Sequence, residues 1–215
     1  MVPFTARHRG RLLMLLQDAD LISTQPAGVI WSLFNVGFAM VFSFGPTMLA
    51  ERGWLITSAG STISLVLWLS AVSVPFGGFL ADRTKRPQVV LIMGCIVFAF
   101  MMIGVPRVTF VVPAVIALGI VCGVAAGPIM SLPARVLEPS TRAIGMGTFY
   151  TVFYIGMMLG PAIGGAYAKR AGTAGAAFDF GALMLLSCPI LLWAFNLMVI
   201  RRARGVAEDC KGAVA

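Results

Sequence analysis

The stretch Ile56–Arg83, ITSAGSTISLVLWLSAVSVPFGGFLADR, decides how this chain is read. From Ile56 to Leu80 it holds no charged side chain, and it closes on Gly77-Gly78-Phe79-Leu80-Ala81-Asp82-Arg83. At about 1.5 Å rise per residue, a helix of that length crosses the ~30 Å hydrocarbon core of a bilayer. In hydrocarbon an unbonded N–H or C=O costs several kcal/mol, so only helices and closed barrels span it. The run is too long and too weakly alternating to be a barrel strand of about 10 residues.

The rest of the chain has the same character. Hydrophobic residues make up 59% of it and charged residues 11%, against roughly a quarter charged in soluble domains. Windows of about 20 residues yield six apolar stretches, near 27–50, 56–80, 88–106, 108–132, 143–168 and 176–200. The expected fold class is therefore an all-α membrane protein with six transmembrane helices, residues 27–200 forming the membrane domain. Pro106-Arg107 marks a tight turn between helices three and four, since proline ends a helix and arginine snorkels to the interface. Residues 1–26 read as a cytoplasmic segment. Their apolar run, Leu12 to Leu16, is too short for a signal-peptide core and suits an amphipathic helix on the membrane surface. Residues 201–215 read as a basic cytoplasmic tail.

The net charge of +8 would suit nucleic acid, but the basic residues lie between the spans, and no nucleic-acid partner is expected. One side has Arg7, Arg9, Arg11, Arg83, Lys85, Arg86, Arg135, Arg142, Arg201, Arg202, Arg204 and Lys211; the other has Arg52, Arg107, Lys169 and Arg170. The positive-inside rule then puts both termini in the cytoplasm, as an even number of spans requires. Such a chain belongs in a bacterial cytoplasmic (inner) membrane, with membrane lipid as its first partner. Cys95, Cys122, Cys188 and Cys210 have no CxxC spacing, so neither a disulfide framework nor a metal site is indicated, and no cofactor is expected.

The chain also repeats itself. Gly45-Pro46-Thr47-Met48 recurs as Gly127-Pro128-Ile129-Met130, an offset of 82, and the Gly77–Arg83 ending recurs as Gly164-Gly165-Ala166-Tyr167-Ala168-Lys169-Arg170, an offset of 87. Helices one to three thus correspond to four to six, as repeats of about 27–106 and 108–200. Each unit has three spans, so the second copy enters the membrane from the opposite side. That is the inverted-topology repeat of secondary transporters.

At these residues the sequence resembles the major facilitator superfamily. Gly78, Asp82, Arg83, Lys85, Arg86 and Pro87 look like the family's cytoplasmic loop signature, with Lys85 in place of its second glycine and Pro87 in place of its last basic residue. Gly147, Gly156, Gly160, Pro161, Gly164 and Gly165 match the glycine-proline pattern of the fifth helix in antiporter members. The resemblance implies a bundle of three plus three helices that forms one half of a twelve-span transporter, the C-terminal half being favoured. It also implies a second six-helix half as partner, a small-molecule solute as substrate, and a gating role for the Asp82–Arg86 loop.

Several residues invite a role. Gly156, Gly160 and Gly164 make one stripe on helix five, with Tyr150, Thr151, Tyr154 and Pro161 opposite; Gly119, Gly123 and Gly127 make a similar stripe on helix four. Such spacing is how spans pack closely. Helix one carries Ser32, Asn35, Ala39 and Ser43 on one side, which should face protein or water, and Asn35 is either a solute contact or an interhelical hydrogen bond. Met101, Met102, Leu191, Leu192 and Phe195 are expected to face lipid. No Asp, Glu, His, Lys or Arg lies mid-span; Asp179 is near the outer edge of helix six and His8 is in the N-terminal segment. An intramembrane enzyme lacks its histidine or carboxylate pair, and a channel lacks its ring of charges or carbonyls. A truncated or split transporter gene without activity of its own is the alternative to a working half.

Overall fold

The computed structural model describes residues 6–130 and 142–212. They form six helices: α1 (Ala6–Ala50), α2 (Ile56–Thr84), α3 (Pro87–Gly104), α4 (Val111–Met130), α5 (Arg142–Ala171) and α6 (Gly175–Gly212). All six are long and apolar enough to cross a membrane. No strand occurs among the described residues. The first and last helices exceed their expected spans: α1 is continuous from Ala6 and α6 runs on to Gly212, so the flanking segments extend the end helices. Arg135 lies outside the described residues, as do the side chains of Arg7, Arg9, Arg11 and the basic tail.

Local chemistry sets the turns. The α1–α2 and α5–α6 connections each use a glycine with positive φ, Gly53 at 86° and Gly172 at 74°, a conformation in which a Cβ would clash. Pro87 opens α3 at a position where its missing N–H costs nothing. Between α3 and α4 the turn at Pro106-Arg107 is closed by backbone bonds from Arg107 N and Val108 N to Gly104 O.

The pairing of helices follows the repeat. α2 packs most extensively on α4, and its counterpart α5 packs on α1; α3 packs on α4, and its counterpart α6 packs on α1. Each unit's first helix is thus inserted between the second and third helices of the other unit. α2 also meets α1, and α3 packs against α6, so α1, α2, α4, α3 and α6 close a ring with α5 against α1 and α6. The core contains Phe34, Phe98, Phe149, Phe178, Met40, Met102, Leu118 and Ile129, all buried.

Glycine allows the two dominant contacts. A Cβ on Gly119 would meet Val66 and Leu69, one on Gly123 would meet Ser70 and Ser73, and one on Gly127 would meet Val74 and Gly78. From the other side, a Cβ on Gly77 would run into the Val124 carbonyl. Because these neighbours include backbone, they have no rotamer by which to yield.

Hydropathy alone misplaces some apolar side chains. Met102 and Leu192, expected at lipid-facing positions, are buried, while α3 presents Val89, Met93, Val97 and Phe100 outward and α6 presents Leu183, Leu186, Ile190 and Trp193. Core and lipid are equally apolar, so composition does not tell one face from the other.

Gly77→Ala should therefore lower stability in detergent by about 1 to 3 kcal/mol, the usual cost of overpacking. Gly78→Ala, whose Cβ would meet nothing within 4 Å, should leave stability unchanged or raise it by up to about 1 kcal/mol. Thermal unfolding of the two variants checks the pair, and equal behaviour would refute the α2–α4 contact.

Candidate functional site

The last turn of α2 and the loop that joins it to α3 carry Asp82, Arg83, Lys85 and Arg86, all exposed. No ion pair joins any of them to another described residue. α2 stops because Lys85 turns left-handed, at φ 52°, with its N–H donating to Asp82 O. Lys85 stands where the loop signature has glycine, so the backbone here takes the conformation for which that glycine is suited. Thr84 Oγ1 donates to Leu80 O at 2.8 Å, finishing the helix.

On α5 the stripe Gly156, Gly160 and Gly164 lies against α1. A Cβ on these residues would meet Ser32, Val36 and Met40 respectively, and one on Gly165 would meet Phe44. Residues step by four on both helices, so α1 and α5 run parallel in near register. A Cβ on Gly147, by contrast, would meet nothing within 4 Å. Pro161 is half-buried within α5.

The residues considered for a solute pathway separate into two groups. Ser32 is buried and touches Gly156, so it belongs to the α1–α5 contact and does not line open space. Asn35 is half-buried and its Nδ2 donates to Trp31 O at 2.8 Å, within its own helix. Ala39 is buried, whereas Ser43 is exposed. Tyr150, Thr151 and Tyr154 are exposed on α5, and Tyr150 and Tyr154 stand 6.4 Å apart between ring centroids.

α2 and α5 have the least cover. In its most apolar 18-residue stretch α5 is 17% buried and α2 28%, against 50% or more for α1, α4 and α6. The uncovered faces are equivalent in the repeat, a relation not noticed in the sequence. Gly60-Ser61 and Ser64 on α2 correspond to Gly147-Thr148 and Thr151 on α5, at the same offset of 87. Ser61 donates to Thr57 O and Ser64 to Gly60 O; Thr148 donates to Ile144 O and Thr151 to Gly147 O. All four hydroxyls bond back to the carbonyl four residues earlier, which satisfies the donor and leaves the oxygen free to accept.

The opposite end, where the α1–α2, α3–α4 and α5–α6 loops meet, is tied by side chains. Glu51 accepts from Ala174 N at 2.9 Å and from Thr173 Oγ1 at 3.0 Å, capping α6 with a carboxylate at the positive end of its dipole. Arg52 donates to Val108 O at 2.9 Å. Arg107 forms a two-pronged pair with Asp179, at 2.8 and 2.9 Å. The hydrogen bond that Arg107 donates to Asp179 raises the Arg107 pKa above its ordinary value, aided by their opposite charge and opposed by slight burial. The carboxylate noted on helix six is thus paired at the membrane edge. A surface pair of this kind is worth at most about 1 kcal/mol. At the other end of the same two helices Gln88 Nε2 donates to Asn196 Oδ1 at 2.8 Å.

Among the described residues no group of three or more His, Cys, Asp or Glu side chains is arranged to hold a metal. Two three-helix units of opposite orientation, exchanged around their first helices, are the architecture of a membrane transporter. The chain belongs to the major facilitator superfamily, whose family model matches residues 28–209. No curated protein matches the sequence. It is accordingly an integral membrane protein of a transporter family.

Because Lys85 holds a left-handed backbone that costs a side-chain-bearing residue roughly 1 to 2 kcal/mol, Lys85→Gly should raise stability by up to about 1 kcal/mol, the flexibility of glycine in the unfolded chain taking back the remainder. Lys85→Val should lower it. Denaturation midpoints in one detergent compare the three, and a Val variant as stable as the Gly variant would refute the turn.

Proposed function

We propose that this chain supplies one six-helix half of a secondary transporter that works by alternating access, moving a small polar or amphipathic solute. The uncovered faces of α2 and α5 carry this reading. Each exposes apolar side chains such as Trp68, Val72 and Phe76 on α2 and Tyr154, Ile155 and Met158 on α5, interleaved with the back-bonded hydroxyls and with Gly60 and Gly147. Small residues with hydroxyls are what helices use to approach one another in a membrane. A second six-helix half, either a second copy or another chain, covers these faces in the reading proposed. The solute then lies between the halves, beside Tyr150, Thr151, Tyr154 and Asn35.

The spans contain no Asp, Glu, His, Lys or Arg away from their ends, so any proton or ion coupling is assigned to the other half. The Asp82–Arg86 loop is proposed as the gate, its charges bridging to neighbouring loops in one of the two states. Both termini are placed in the cytoplasm of a bacterial inner membrane by the excess of basic residues on their side. The favoured assignment is the C-terminal half.

Light scattering in detergent tests the assembly: the protein should behave as two six-helix units, as two 22.8 kDa chains or one with a co-purified partner. Tyr154→Arg should reduce it to a monomer by burying an unpaired charge. A well-folded wild-type monomer would end this reading. In the intact assembly Asp82→Asn should slow transport while leaving the assembly in place, and unchanged rates would remove the gate.

A further inference from the structure

Two apolar grooves among the described residues are related by the repeat. One lies between α2, α3 and α4 and has a volume of about 300 Å³; its wall includes Leu80, Thr84, Val90, Met93 and Val97. The other lies between α5 and α6 and has a volume of about 420 Å³; its wall includes Leu159, Ile163, Ala166, Tyr167, Arg170 and Phe180. Leu80 and Met93 correspond to Tyr167 and Phe180 at the offset of 87. Each groove is the gap between the second and third helix of its unit, and inversion sets the two in opposite leaflets.

We infer that the α5–α6 groove binds one anionic phospholipid, its acyl chain along the wall and its phosphate at Arg170. Three observations favour lipid over a protein helix. The first is length. From Leu159 to Arg170 a helix rises about 16 Å at ~1.5 Å per residue, close to half of the ~30 Å hydrocarbon core. An acyl chain of one leaflet has that reach, while a transmembrane helix of another subunit runs twice as far. The second is charge. Arg170 is the one charged residue among those that line the groove, it is exposed, and no ion pair holds it among the described residues. The nearby carboxylate of Glu51 is bonded to Thr173 and Ala174. The third is depth. Arg170 sits in the last turn of α5 beside Lys169, where a headgroup phosphate lies, and guanidinium takes phosphate in two-pronged geometry. Tyr167, next to the cation and packed on Phe180 at 6.4 Å, supplies the amphipathic ring common at that depth. The α2–α3 groove has no charged wall residue and serves as an internal comparison.

This inference does not depend on the second half. The test is native mass spectrometry of the full chain, delipidated in mild detergent and given phosphatidylglycerol or phosphatidylcholine with the same acyl chains. Phosphatidylglycerol should be retained in preference. Arg170→Gln should cut that retention about fivefold, the factor that ~1 kcal/mol per basic residue near the headgroups implies, and leave phosphatidylcholine unchanged. Arg170→Lys should keep the preference and Arg83→Gln should not alter it. Ala166→Trp, which fills the groove, should reduce both lipids, with the unfolding midpoint showing that each variant folds. Equal retention of the two lipids, or no response to Arg170→Gln, would overturn the site. So would displacement of the lipid by glycerol phosphate at equal concentration, which would make it a phosphate site alone. A change in oligomeric mass on Ala166→Trp with lipid retention unaltered would assign the groove to a neighbouring subunit.

Discussion

Close backbone approach between helices is the constraint on which this structure rests. In lipid, apolar side chains gain little by leaving the solvent for one another, so packing and interhelical hydrogen bonds must hold the bundle. The edge Gly119, Gly123 and Gly127 brings α4 onto α2, and the edge Gly156, Gly160 and Gly164 brings α5 onto α1. Dispersion falls steeply with separation, so a gap of an ångström forfeits a large share of these contacts. The side chains that meet these edges range from Ser70, Ser73 and Ser32 to Leu69 on α2 and Val36 and Met40 on α1.

From that constraint follows the exchange of first helices between the two units. α1 is held by α5 and α6, α4 by α2 and α3, and neither unit closes on itself. The inverted repeat is therefore a statement about assembly as much as about ancestry: each three-helix unit leaves its first helix to be packed by the other. The hydroxyls on α2 and α5 extend the correspondence to hydrogen bonds, since Ser61 and Thr148, and Ser64 and Thr151, bond to carbonyls at equivalent positions.

The six spans and the threefold division of each unit were legible because length and apolar content are properties of segments. The glycine stripes were legible as stripes, since spacing alone puts residues on one face. Which helix they meet was not, because that depends on how two distant segments are brought side by side. Ser32 shows the difference. It sits on a polar strip of α1 with Asn35 and Ser43, yet its neighbour is Gly156, and the missing side chain on α5 is what allows a hydroxyl to be buried there. The inward turn of Met102 and Leu192 was hidden for another reason: a methionine or leucine is equally at home in lipid and in a membrane protein's core. Lys85 was legible as a departure from the loop signature, but its left-handed backbone became visible only with the coordinates.

The two units are equivalent in pattern and unequal in contact. α1 meets α2 through Gly45 and Ile63, while among the described residues the corresponding helices α4 and α5 hardly meet. The end at which α1 and α2 join is also the end fastened by Glu51, Arg52 and the Arg107–Asp179 pair. At the other end α2 and α3 are joined by a loop of exposed charges. Among the described residues the side-chain ties are concentrated at the first of these ends, with Gln88 and Asn196 bonded at the second, so the fastening is unequal though the repeat is nearly symmetric. In the alternating access proposed above, motion that exchanges which end is closed would need such an inequality, because two packed arrangements of one set of helices must differ somewhere in contact for a solute or a partner to favour one of them. The α1–α2 contact is where the proposed motion would find it.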